Sequence, residues 1–152
     1  MAQKWVTRSG ARLDRAAMIW LIRRRIDPHA EIVFLPEGEV MAYAAEHDAT
    51  PFHHPQAKLK NTGLRTGFDA LIAEYNLSDP ALTVLQLALR GAETQDRTLT
   101  PWSTGLRAIG QGLRSLHAED AAFVAEMGRV LDGLLRFCED LVGPAAPAAK
   151  AD

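Results

Sequence analysis

Arginines crowd one short stretch of this chain: Arg12, Arg15, Arg23, Arg24 and Arg25 flank the apolar run at residues 16–22. Guanidinium groups stay charged and present a rigid fork of donors that suits carboxylates and tetrahedral oxyanions. On a helix turning about 100° per residue, Arg12, Arg15 and Arg23 share a side with Ala16 and Ile19. Arg24 then falls beside Trp20, and Arg25 beside Asp14 and Met18. Three arginines over small residues could line a pocket for a dianion, with Asp14 orienting one of them. The same arginines could instead pair with Asp and Glu elsewhere or lie at the surface. Both alternatives stay open at the level of sequence.

His47, Asp48, His53 and His54 lie close together and raise the idea of a metal site. Their spacing argues against it. Neighbouring histidines on an extended chain point to opposite sides, and no pair recurs at helical spacing as in H-E-x-x-H. Loop or surface histidines are the expectation, with no metal ligand assigned. The sequence has no G-x-G-x-x-G, no P-loop and no G-x-S-x-G, so the common nucleotide and acyl-transfer chemistries lack their signatures. No catalytic residue and no cofactor is identified. Trp20 and Trp102 read as core aromatics near helix packing faces.

The elements that must hold these groups follow from composition and punctuation. A chain of 152 residues, 47% hydrophobic and 24% charged, suits one globular domain that buries a core unaided. Seventeen Lys and Arg against nineteen Asp and Glu give a net charge of -2, which argues against direct nucleic-acid binding. Cys138 is the only cysteine, so it forms no intramolecular disulfide and reads as a small core residue in a reducing compartment. With no signal-peptide run and no apolar run of bilayer length, a cytoplasmic protein without membrane contact is expected.

Along the chain, short strands are predicted over 4–7 and 31–35, and a helix over 13–26 that Asp27-Pro28 stops. A helix over 39–46 follows, then irregular or extended chain over 51–63. Thr66-Gly67-Phe68-Asp69 has the form of a capping box and opens a helix to Tyr75. Asp79-Pro80 opens the next, which Gly91 closes after Arg90. Thr100-Pro101 opens another to Leu116, whose Gly105 and Gly112 would admit a close helix neighbour. The longest helix covers 119–142, with Phe123, Met127, Val130, Leu131, Leu134 and Phe137 at helical spacing. These elements predict an α+β fold, predominantly helical, with a few short N-terminal strands packed with a C-terminal helical cluster. One domain is expected over 1–143, with a disordered tail over 144–152.

W-V-T-R at 5–8 and L-D-R-A-A-M-I-W-L-I-R-R-R-I-D-P at 13–28 resemble the C-terminal domain of the ChrB chromate-resistance proteins. F-D-A-L at 68–71, L-S-D-P-A-L at 77–82, R-G-A-E-T at 90–94 and T-G-L-R-A-I-G-Q-G-L at 104–113 resemble its later blocks. The resemblance covers nearly the whole chain except the tail. It implies a role in chromate resistance, where longer members act as chromate-responsive regulators of an efflux transporter and carry an extra N-terminal region. With the domain beginning at Trp5, no room for that region is expected here. The chain departs from the pattern at Met18, where relatives often have cysteine, and at Asn61 and Thr66, where many have a histidine and a cysteine.

The resemblance implies a non-enzymatic, oxyanion-sensing or regulatory accessory domain of the response to chromate, without its own DNA-binding region. Its expected partners are chromate or a related oxyanion and a regulatory protein. The candidate ligand-binding residues are Arg12, Asp14, Arg15, Trp20, Arg23, Asn61, Arg65 and Glu93. The alternative is a small metal-dependent or redox enzyme of chromate detoxification, with His53, His54, Asn61 and Glu93 near its site. A third is an interaction module whose arginine face meets an acidic protein.

Overall fold

Trp5, Val6 and Thr7 are all completely buried, as in a strand covered on both faces. They form the middle of β1 (Lys4–Arg8), the central strand of a three-stranded parallel sheet in the computed structural model, which describes residues 3–96 and 99–143. On one side β2 (Glu31–Leu35) places Val33 opposite Val6; on the other β3 (Thr50–Pro51) places Thr50 opposite Trp5. Parallel neighbours need crossovers. These are α1 (Leu13–Leu21), continued by a π-helical turn at Ile22–Ile26, and α2 (Glu37–His47). α2 covers one face through Val40 and Ala44 against Val6, while Trp5 on the other face joins the main core. β3 reaches into the stretch that the sequence predicts as irregular or extended. Pro51 lacks an N–H donor and so suits an edge strand, but it also hides that strand from pattern reading.

α1 is buried at every position except Asp14, as its all-round apolar run requires. The chain beyond it is not the predicted α-helix. The Asp27 amide donates to the Ile22 carbonyl, an i to i+5 bond, so Arg23, Arg24 and Arg25 leave the α-helical phase and stand exposed.

The remaining helices are α3 (Gly67–Tyr75), α4 (Pro80–Glu93), α5 (Ser103–Leu116) and α6 (Asp120–Val142). The capping signals operate. Thr66 Oγ1 accepts the Asp69 amide at 3.1 Å while Asp69 Oδ2 accepts the Thr66 amide at 2.9 Å. Asp79 Oδ1 accepts the Leu82 amide at 2.7 Å. α6 packs along α1 and α4 through Phe123, Met127, Leu131, Leu135 and Cys138. Phe137 is rotated outward, 45% exposed, and meets Trp102 edge-on at 5.0 Å.

The glycines act differently from their sequence reading. Gly91 does not end α4, which runs on to Glu93; a β-carbon there would stand 2.4 Å from Ser103 Oγ, so Gly91 lets α5 begin against α4. Gly105 and Gly112 face open space. The close approach belongs to Gly110, where a β-carbon would meet Leu13 Cβ at 3.3 Å. Thr100-Pro101 forms a turn ahead of α5, with a 2.7 Å hydrogen bond between Thr100 Oγ1 and Ser103 Oγ.

The fold is thus predominantly helical, with a few N-terminal strands and a C-terminal helical cluster. The predicted tail over 144–152 lies outside the described residues. No helix among the described residues is long and apolar enough to cross a membrane.

Candidate functional site

The contact of Gly110 with Leu13 brings the start of α1 against α5, and the end of α4 closes the third side. A cleft of about 450 Å³ opens between them, with Asn61 at its edge. Arg107, Gly110, Gln111 and Arg114 recur at i, i+3, i+4 and i+7, so one face of α5 lines it. From α1 and its cap come Arg12, Leu13 and Asp14; from α4 come Ala92 and Glu93.

Its three guanidinium groups are not equivalent. Arg114 is engaged by the fold: it donates to the Ala11 carbonyl at 2.8 Å, to Asp120 at 2.9 Å and to the Ala118 carbonyl, and lies over the Phe123 ring. Arg107 makes one bond, to the Ala92 carbonyl at 3.1 Å, and no carboxylate among the described residues pairs with it. Arg12 is exposed at the N-cap of α1 and has no ion-pair partner among the described residues. Arg12 and Arg107 are therefore available to an anion.

Asp14 is held from behind by a chain of polar groups. Its Oδ1 accepts the Arg15 amide at 2.7 Å, and its Oδ2 lies 2.5 Å from His53 Nε2. Arg8 Nη2 stands 3.1 Å from His53 Nδ1, Arg8 Nε donates to the His53 carbonyl at 3.0 Å, and Arg8 Nη1 pairs with Glu37 at 2.8 Å. A guanidinium can only donate. His53 Nδ1 must then accept, which puts the imidazole proton on Nε2, facing Asp14. His53 reaches this position with a left-handed backbone, φ +50°. Burial alone would raise the pKa of Asp14, but the His53 contact and the Arg15 amide and charge outweigh it and hold the carboxyl below its ordinary value.

Glu93 is the opposite case. Both carboxyl oxygens are shut off from solvent and have no hydrogen-bond partner among the described residues. Burial first, then the negative charges of Asp14 and Asp69, push its pKa well above the usual carboxylate range. Two carboxyl groups at one cleft are thereby driven apart, one toward the ionised form and one toward the acid.

The structure brings together Arg12, Asp14, Asn61 and Glu93 of the sequence-predicted set. The single arginine face on the first helix does not form. Arg15 is buried, and its guanidinium donates to the carbonyls of Arg8, Ser9 and Gly10, tying α1 to the end of β1. Arg23 stands exposed on the π-helical turn. Trp20 Nε1 donates to Asp132 at 2.9 Å and its ring lies under Arg24. Arg65 lines a separate depression with Arg90 and Thr94.

His53 and His54 lie in loop chain as expected, but both are buried rather than at the surface. They do point apart: His54 accepts the Gln56 amide through Nδ1 and faces the Glu37 carbonyl through Nε2. No group of three or more His, Cys, Asp or Glu among the described residues is arranged to hold a metal ion. Sequence reading missed Arg107, Gln111 and Arg114, although their spacing around Gly110 was a usable signal. Met18, Asn61 and Thr66, the three departures from the pattern, converge around the start of α3. Asn61 Oδ1 accepts the Gly67 amide at 2.6 Å, and Met18 Sδ lies 2.5 Å from where a β-carbon on Gly67 would stand.

Comparison with known proteins follows this geometry. The family described as "ChrB, C-terminal domain" matches residues 5–138. "Protein ChrB" of Cupriavidus metallidurans is 32% identical over 133 residues, covering 87% of this chain and 40% of that protein. The chain thus spans two-fifths of the length of the curated relative it matches. No solved structure matches it. With the matched region running from β1 almost to the end of α6, the chain belongs to the ChrB C-terminal domain family.

Proposed function

We propose that this domain binds a tetrahedral oxyanion in the cleft between α1, α4 and α5, and acts in chromate resistance as a sensing or regulatory module. The observation that carries it is the pair of guanidinium groups, Arg12 and Arg107, that line the cleft without a carboxylate partner among the described residues. Two available forks of donors at one concave site match the geometry and charge of a small dianion. The resemblance to chromate-resistance proteins makes chromate the first ligand to test. A protein that reads the occupied state is the partner such a sensor needs. The net charge of -2 weighs against the domain engaging nucleic acid by itself.

Isothermal titration with chromate, sulfate and phosphate at low ionic strength tests this. Arg12→Ala and Arg107→Ala should each weaken binding by about ten- to a hundredfold, the loss of a hydrogen bond to a charged group worth about 1.5–3 kcal/mol. Arg23→Ala, remote from the cleft, should bind like the unaltered protein. Absence of saturable binding to all three anions would refute oxyanion binding.

A further inference from the structure

Glu93 carries a cost that the fold alone does not explain. A buried polar group without a partner is destabilising, and both Glu93 oxygens are without a partner among the described residues while the residue lines the cleft. The charged groups around it are committed or point to a ligand. From α1, Asp14 is held by His53 and the Arg15 amide. From α3, Asp69 is held by Gln86 at 2.7 Å, by Arg90 and by the Thr66 amide. From α5, Arg107 gives one donor to the Ala92 carbonyl. Arg114, further along the cleft, is engaged by Asp120. Arg12 alone has neither partner nor burial. Asp14 and Asp69 are satisfied, no donor among the described residues is directed at Glu93, and burial with their negative charges raises its pKa well above the usual carboxylate range.

An undissociated carboxyl group has one O–H to give, and its missing partner is then an acceptor. We propose that the Glu93 carboxyl, shut off from solvent in this structure, turns toward a bound oxyanion and donates its acid proton to one of the anion's oxygens, so that the cleft takes up a fully deprotonated dianion only while Glu93 is protonated. This rests on oxyanion binding in the same cleft and adds its regulation. Sulfate and chromate dianions offer acceptors alone, which suits a site built from Arg12, Arg107 and Glu93 as donors. If Glu93 ionises, a carboxylate faces the dianion with no counter-charge of its own, and binding is lost.

The experiment uses the full chain and sulfate, whose own protonation does not change near neutral pH. Sulfate affinity is measured by titration calorimetry over a pH series for the unaltered protein, Glu93→Gln, Glu93→Ala and Arg12→Ala. The unaltered protein should lose affinity by about tenfold per pH unit once Glu93 begins to ionise, the slope for one linked proton. Glu93→Gln keeps an N–H donor that cannot titrate, so its affinity should stay flat over the same range. Glu93→Ala should bind at least tenfold more weakly at the low end. Proton uptake, read from the heats in two buffers of different ionisation enthalpy on the falling limb of the profile, checks the linkage without any substitution. A flat profile for the unaltered protein, with Glu93→Ala binding as well as it does, overturns the proton-donor role and leaves oxyanion binding standing. No saturable sulfate or chromate binding at any pH overturns both.

Discussion

Arg15 is held by the fold rather than open to a ligand, and truncating it is the sharpest test of that division. Its guanidinium is buried between α1 and the chain leaving β1 and donates to three successive carbonyls, those of Arg8, Ser9 and Gly10. Each hydrogen bond to a charged group is worth about 1.5–3 kcal/mol, and the carbonyls left behind lose their partners together. These terms do not add fully, because water enters the space left by the side chain and because the bonds share one group. A loss of about 3 kcal/mol for Arg15→Ala is the working value. In a domain of this size each kcal/mol moves the melting temperature by about 2–4 °C, so a fall of about 6–12 °C is expected. Urea unfolding followed by circular dichroism gives the free energy, and a thermal scan gives the shift. Arg12→Ala, measured beside it, should melt within about 2 °C of the unaltered protein, since an exposed, unpaired side chain contributes little. A loss below about 1 kcal/mol for Arg15→Ala would refute the structural role. Any loss of anion binding in that variant would then need another cause.

Three further substitutions test the same packing and electrostatics. Asp14 has its pKa lowered in the fold, so its contribution to stability is present above the pH range in which an unfolded aspartate titrates and disappears as pH falls through the folded value. Asp14→Asn should accordingly flatten the acid limb of the stability profile, measured by urea unfolding at stepped pH; an unchanged limb would show that His53 does not stabilise the carboxylate. Gly91→Ala should cost about 1–3 kcal/mol because its methyl group would overlap Ser103. Gly105→Ala, which meets nothing within 4 Å, should instead stabilise α5 by about 0.5–1 kcal/mol. Equal effects of the two changes in thermal unfolding would contradict the packing of α4 on α5.

Local signals in the chain decided much of the fold. The reciprocal capping of Thr66 and Asp69, the Asp79-Pro80 start and the strand at 31–35 depend on groups a few residues apart, so their physics is written in adjacent letters. The buried first helix was equally legible, because seven consecutive apolar residues leave no polar face to turn toward water. Four residues of the cleft could be nominated from sequence, Arg12 and Asp14 from the first helix and Asn61 and Glu93 alongside the family resemblance. What joins them could not. The π-helical turn alters the phase that sequence reading assumes constant, and Arg23 stands exposed on it. The burial of Arg15 depends on where the carbonyls after β1 point, a property of the folded backbone. Arg107 enters the cleft because Gly110, nearly a hundred residues from Leu13, lets two helices touch. His53 meets Asp14 only when the sheet brings β3 beside β1. Side-chain type and short-range periodicity thus determined the elements and the available chemistry. Tertiary structure alone decided which charges would be paired, which carboxyl would have its pKa raised, and which arginines would remain available to a ligand, because each of those outcomes depends on desolvation and contact between segments far apart in the chain.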